Sequence, residues 1–113
     1  MNLYDSQIDE SLLRGGSFDI TGTSEVLNKQ FWGFNASDGA VLESIKGIPL
    51  GSQASTLALI RIAEIDISGI LLTTVSDPLF ANVPYRADGY IITSIKLTSG
   101  SLHCYKIKTQ ITT

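Results

Sequence analysis

Asp88-Gly89-Tyr90-Ile91-Ile92-Thr93-Ser94-Ile95-Lys96-Leu97-Thr98-Ser99-Gly100-Ser101-Leu102-His103-Cys104-Tyr105-Lys106 decides the fold class. Two β-branched and aromatic runs, Tyr90–Thr98 and Ser101–Ile107, flank a Ser99-Gly100 turn. A short loop ending in glycine supplies the φ > 0 position that a tight turn between twisted strands requires. The stretch therefore predicts one long β-hairpin in a β-rich protein. Alternation along it sets Ile91, Ile95 and Leu97 on one face and Tyr90, Ile92 and Ser94 on the other.

Upstream, the same punctuation recurs. Ser17–Thr21 predicts a first strand, with Phe18 and Ile20 alternating with polar neighbours. Gln30–Asn35 predicts an aromatic strand, in which Gly33 marks a bulge or a close backbone approach. Alternation there pairs Trp32 with Phe34 as core fillers and turns Phe31 to the opposite face. Ser37-Asp38-Gly39 predicts a turn. Ala40–Ile48 resumes the strand pattern, with Val41 and Ile45 on one face and Leu42, Ser44 and Lys46 on the other. Gln53–Ile67 fits strand or helix, and the crowding of Ile60, Ile62, Ile65 and Ile67 favours strand because β-branching restricts χ1. Ile70–Val75 predicts another strand. Asp77–Gly89 holds two of the three prolines and predicts a loop, whose apolar Leu79, Phe80, Val83 and Tyr85 either plug the end of a sandwich or contact a partner.

About seven short strands with no obligatory helix describe an all-β protein: a single β-sandwich, jelly-roll-like, or a small barrel. With 113 residues, one domain is expected over residues 17–113, preceded by an arm over residues 1–16. The arm has too few apolar groups for a core, yet Leu3, Tyr4, Ile8, Leu12 and Leu13 are many for a purely solvating tail. Gly15-Gly16 predicts a hinge at its root. Extended, ~14 residues reach roughly 45–50 Å, enough to cross a neighbouring subunit. The predicted interface is accordingly Leu3, Tyr4, Ile8 and Leu12 from the arm with Phe80, Val83 and Tyr85 from the loop.

Composition narrows the function classes. Hydrophobic residues make up 43%, too many for a disordered chain. Charged residues are only 17%, against ~25% in an average soluble domain, which suits a sheet protein held against other subunits. A net charge of −3 with scattered basic residues argues against nucleic acid. The nearest basic grouping, Lys96, Lys106 and Lys108, reads as a solvated strand face. Met1–Ser6 lacks the basic region and apolar stretch of a secretory leader, and no apolar run approaches the ~20 residues that span a bilayer. The sequence thus predicts a soluble protein made in the cytoplasm, with no membrane partner.

Reactive groups are few. His103 is the only histidine and Cys104 the only cysteine, which excludes an intrachain disulfide. As neighbours on a strand they point to opposite faces, and zinc would need further Cys or His ligands. Glu64 and Asp66 are expected to share a strand face, without the serial acidic loop of a Ca²⁺ site. The glycines at 15, 16 and 22 form no phosphate-cradling unit. No catalytic, metal or cofactor residue is predicted.

Phe31-Trp32-Gly33-Phe34-Asn35-Ala36-Ser37-Asp38-Gly39-Ala40-Val41-Leu42-Glu43-Ser44-Ile45, followed after a variable middle by Gly89–Tyr105, resembles a group of small tailed-bacteriophage virion proteins. The likeness lies in an aromatic strand, an acidic–Gly/Ala–Val strand, and a Thr-Ser-Ile-x-Leu-x-Ser-Gly-Ser run closed by an aromatic residue. It spans about residues 30–48 and 88–106. The longer middle, Gln53–Asp88, and the arm depart from the pattern.

The resemblance implies a non-enzymatic structural protein of the virion, a capsid decoration or cement protein or a head or tail appendage, often trimeric. Its partners would be further copies of itself and the major capsid protein or another virion protein. The alternative is a carbohydrate-binding or host-recognition β-module of a tail appendage, with Trp32, Tyr85 or Tyr90 stacking on sugars. A small hydrolase with convergent carboxylates is the third reading.

Overall fold

Phe31 pairs with Lys106, Ala36 with Leu102, Val41 with Ser99 and Pro49 with Tyr90. These four pairs trace one long antiparallel ribbon whose two sides are residues 31–49 and 90–106. In the computed structural model, which describes residues 15–71 and 77–113, the ribbon folds across its own middle. Its elements are β2 (Phe31–Ala36), β3 (Val41–Pro49), β6 (Tyr90–Ser99) and β7 (Leu102–Lys106). The others are β1 (Ser17–Ile20), helix α1 (Leu57–Ala63), β4 (Ile65–Asp66) and β5 (Pro84–Arg86).

The strand order is β1-β7-β2-β6-β3-β4, with β5 pairing β2 on a side branch. The result is an all-β, curled antiparallel half-barrel, with one short helix among the described residues. The strands of the expected terminal hairpin are where the sequence places them, but they do not pair with each other. β2 lies between them, so Ser99–Ser101 is a corner between two parts of the sheet. Gly100 does adopt a positive φ of 83°, because an arch and a hairpin make the same demand of a bend. The Ser37–Ala40 bend runs alongside. Ser37 N donates to Ser101 O (2.9 Å) and Ser101 N donates to Ser37 Oγ (2.9 Å), fastening the two corners together.

Bulges decide which residues face the core, and they overturn the alternation expected on three strands. Against β7, the register of β2 shifts between Phe31 and Gly33, leaving Trp32 as the extra residue. Phe31 and Phe34 therefore both point inward and are fully buried, while Trp32 stays half-buried on the outer face. Gly33 is needed here: a Cβ would sit 2.6 Å from the Tyr85 carbonyl oxygen on β5. On β3 the extra residue is Glu43, which brings Leu42 and Ile45 to the same buried face. On β6 the extra residues are Thr93 and Thr98, and Ile92 and Ile95 are both fully buried whereas Ile91 is half-buried.

Residues 57–63 are helical, not extended. Thr56 caps the helix, its Oγ1 accepting from Leu59 N (3.2 Å), and Leu57 N donates to the Thr113 carbonyl (2.7 Å). Capping and end contacts outweigh the small propensity deficit of two isoleucines over seven residues. Ile60 is the residue of α1 that enters the core, and Ile62 is 82% exposed. Arg61 Nη2 donates to the carbonyl of Thr93 (3.0 Å), a group displaced from the ladder by the bulge, and Thr93 Oγ1 donates to Glu64 Oε2 (2.8 Å). Of the expected strand at 70–75, Ile70 and Leu71 form a turn, and positions 72–76 lie outside the described residues. The Asp77–Gly89 loop contains β5, with Pro84 as first residue of an edge strand, where no ladder hydrogen bond is lost.

Gly15 at the arm's root is held in place. Its N–H donates to Lys106 O (3.0 Å), and a Cβ would lie 2.1 Å from the Ile107 carbonyl oxygen. The expected hinge at Gly15-Gly16 is thus a continuation of the β1–β7 pairing. The rest of the arm, residues 1–14, lies outside the described residues. At the other end, Gln30 and Gln110 clasp reciprocally: Gln30 N donates to Gln110 Oε1 (2.8 Å) and Gln110 Nε2 donates to Gln30 O (2.7 Å).

Candidate functional site

Side chains with binding chemistry converge on the outer face of β1, β7 and β2. Register places His103 opposite Asp19 on one side and opposite Asn35 on the other. His103 Nδ1 is 2.6 Å from Asp19 Oδ1. A carboxylate can only accept, so Nδ1 carries the proton in this contact. Both side chains are substantially exposed, 48% and 66%, and an exposed pair contributes little to stability.

A row of contacts extends from this pair. His103 meets the Tyr105 ring edge-on, with centroids 5.2 Å apart. Tyr105 stacks on Trp32 at 5.1 Å, and the Arg86 guanidinium lies 5.2 Å from the centre of the Trp32 ring. Asn35 Nδ2 donates to the Tyr105 hydroxyl (2.6 Å). Tyr105 therefore braces His103 by its ring and Asn35 by its hydroxyl.

Beside the Asp19 end of this row lies an open-sided cleft of about 300 Å³. Asp19, Thr21, Asn35, Ser37, Ser101 and His103 give it polar groups, and the core residues Ala36 and Leu102 complete its lining. The fastened corners at Ser37 and Ser101 form one wall, so the fold of the ribbon itself builds the cleft.

Cys104 belongs to the opposite face. It is fully buried and its thiol is pushed up to about 12, chiefly by loss of solvent and secondly by the negative charge of Asp19. A thiol so far from ionising is neither nucleophile nor metal ligand at neutral pH. The divergence of His103 and Cys104 matches the expectation from strand geometry. Among the described residues no group of three or more His, Cys, Asp or Glu is arranged to hold a metal ion.

Of the predicted interface residues, Leu3, Tyr4, Ile8 and Leu12 lie outside the described residues. Phe80 and Val83 are solvent-exposed, 70% and 43%. Tyr85 is turned inward instead, stacked on Phe34 at 5.2 Å, with its hydroxyl accepting from Phe80 N (3.0 Å). Tyr90 packs against the core and Trp32 lies between Tyr105 and Arg86, so the three aromatics considered for sugar stacking do not form a common platform. Glu64 and Asp66 do not work as a pair. Glu64 is engaged by Thr93 and by Arg61 (3.6 Å), whereas Asp66 Oδ1 accepts from Ser68 N (2.9 Å). That backbone bond, with a second from the Ser68 side chain, holds the Asp66 carboxyl below its ordinary value.

The cleft residues other than His103 were not singled out from the sequence. Asp19, Asn35, Ser37 and Ser101 come from two strands and two bends with no shared motif, and only the register unites them. No protein-family model, curated protein or solved structure matches the chain.

Proposed function

We propose that this chain is a non-enzymatic structural protein of a bacteriophage virion, one that binds the capsid as a decoration or cement protein and self-associates as a trimer. The observation that carries the reading is the way Phe80 is held. Leu79 before it is buried and donates its N–H to Ala40 O (2.7 Å), and Phe80's own N–H is fixed by Tyr85. A tied-down loop thus presents an aromatic ring to solvent, with Val83 also exposed three residues on. Ordered apolar side chains in that position suit burial by a partner. The low charge content supports the same reading, as does the resemblance noted above, whose two segments are the two sides of the folded ribbon. The protein would be made in the host cytoplasm and reside in the virion, contacting the major capsid protein or a neighbouring virion protein.

Size-exclusion chromatography with light scattering, combined with co-sedimentation on purified capsids or expanded proheads, tests this. A trimer that sediments with particles, and a Phe80→Ser variant that stays folded but sediments less, is the expected outcome. A strictly monomeric protein that leaves particles bare overturns the proposal.

A further inference from the structure

We infer that the cleft between the Asp19–His103–Asn35 row and the Ser37–Ser101 corner is a binding site for a neutral saccharide of one or two pyranose rings. The inference goes beyond the structural role proposed above and does not depend on it.

The chemistry of the lining selects the ligand class. Among the described residues no Lys or Arg lines the cleft, so phosphate, sulfate and carboxylate ligands would meet no lysine or arginine cation there. An ammonium ligand would have to compete with His103 for the Asp19 carboxylate. The cleft instead offers a few donors and acceptors set in a mostly apolar surface. Asp19 has a second carboxylate oxygen, Asn35 has an amide oxygen besides the N–H spent on Tyr105, and His103 has Nε2. Ser37 Oγ accepts from Ser101 N and keeps its own O–H to donate. Adjacent hydroxyls that each donate and accept satisfy such a set.

Size and rigidity agree. Neighbouring strands lie ~4.8 Å apart, so a row crossing β1, β7 and β2 spans roughly 10 Å, the length of one or two pyranose rings. The volume of about 300 Å³ is at the small end of the roughly 300–1,000 Å³ typical of ligand sites. Tyr105 fixes both Asn35 and His103, and the two corners are locked to each other, so little side-chain freedom is lost on binding. An open cleft with few hydrogen-bonding groups gives weak binding, in the millimolar range for a monosaccharide.

The test is a titration of the ¹⁵N-labelled full chain, followed by amide chemical shifts. The probes are methyl glycosides of glucose, galactose, mannose and N-acetylglucosamine, with maltose, cellobiose and lactose. At least one should give saturable shifts centred on Asn35, Ser37, Ser101 and His103. Asp19→Ala and Asn35→Ala should each weaken binding about tenfold, as expected for loss of a hydrogen bond involving a charged or well-placed group. Lys46→Ala, on β3, should leave it unchanged. If no probe shifts those amides up to its solubility limit, or the shifts centre elsewhere, the inference is overturned. It is equally overturned if both cleft variants keep the native spectrum and bind like the wild type. Should a variant fail to fold, the shift map of the unaltered protein decides. Capsid co-sedimentation reports separately, so failure here leaves the structural proposal standing.

Discussion

Phe31 on β2 faces Ile92 on β6, and this pair is the registered contact between the two halves of the folded ribbon. Both residues are fully buried, and Phe31 also stacks on Phe18 of β1 at 6.1 Å. One ring thus touches the sheet's outer strand and its central seam. Phe31→Ala should lower stability by ~3–5 kcal/mol, the range for a fully buried aromatic, in urea unfolding followed by Trp32 fluorescence. A loss below ~1 kcal/mol, the size of an ordinary surface change, would show that the seam closes without it.

The two corners make different demands of their glycines. Gly39 and Gly100 both have positive φ, 76° and 83°, but a Cβ at Gly39 meets open space while one at Gly100 would lie 2.6 Å from Ala40 Cα. Gly39→Ala should cost only the conformational term, ~1–2 kcal/mol. Gly100→Ala should add a further ~1–3 kcal/mol for overpacking. Equal losses in paired denaturation curves would refute the corner packing.

Ile95 tests the core of the central strand pair. It sits opposite Ile45 with no exposure, between half-barrel and the Val26 segment that bonds to its backbone. Ile95→Asp would bury an uncompensated charge and remove several kcal/mol, a large part of a marginal total of ~5–15 kcal/mol. Insoluble or unfolded protein is expected on expression. A soluble variant with an unchanged spectrum would contradict the burial.

Cys104 gives a pH dependence of known sign. Its folded-state value, about 12, lies above the ordinary 9.0, so the unfolded chain releases this proton first. The contribution is unaffected below about pH 9 and turns against the fold as pH rises toward 12, by ~1.4 kcal/mol per pH unit. The slope of stability against pH above 9 should therefore be steeper in the wild type than in Cys104→Ala. A thiol reagent at neutral pH should also label Cys104 only on unfolding. Rapid labelling of the native protein would overturn both.

Deletion of residues 1–14 should leave the fold intact while weakening self-association or particle binding. Gly15, which bonds to Lys106, and Ile20, which supplies a core residue from β1, are both kept by the deletion. Unfolding of the truncated chain in a thermal melt would show the deleted residues to be part of the core instead.

Strand positions were largely legible in the sequence, because apolar alternation bounded by Gly, Pro and Asp is a local signal. Pairing was not. Ser99-Gly100 carries the same mark whether the chain folds back on itself or crosses a corner, and the intervening β2 is some seventy residues upstream. Facing failed wherever a bulge intervened, as at Trp32, Glu43 and Thr93, since an extra residue shifts the period without any distinctive side chain. The helix was masked by Ile60 and Ile62, whose β-branching spoke for strand, while the Thr113 contact that helps to hold its start comes from the far end of the chain. Of the candidate site, His103 was visible as a surface group; Asp19 and Asn35 became its neighbours only through register.

The folded ribbon also sets a timetable. Its inner end, Pro49 with Tyr90, is bridged by the whole segment carrying α1 and β5, so no tight turn is present to start the zipper. Every rung joins residues distant in sequence, and such high contact order places folding in the slow, millisecond-to-second range. During synthesis β2 and β3 leave the ribosome long before β6 and β7, so the ribbon cannot close along its whole length until residue 106 has emerged. A nascent chain of this design is therefore exposed to aggregation for most of its translation, and its yield should depend on temperature and chaperone supply more than its final stability would imply.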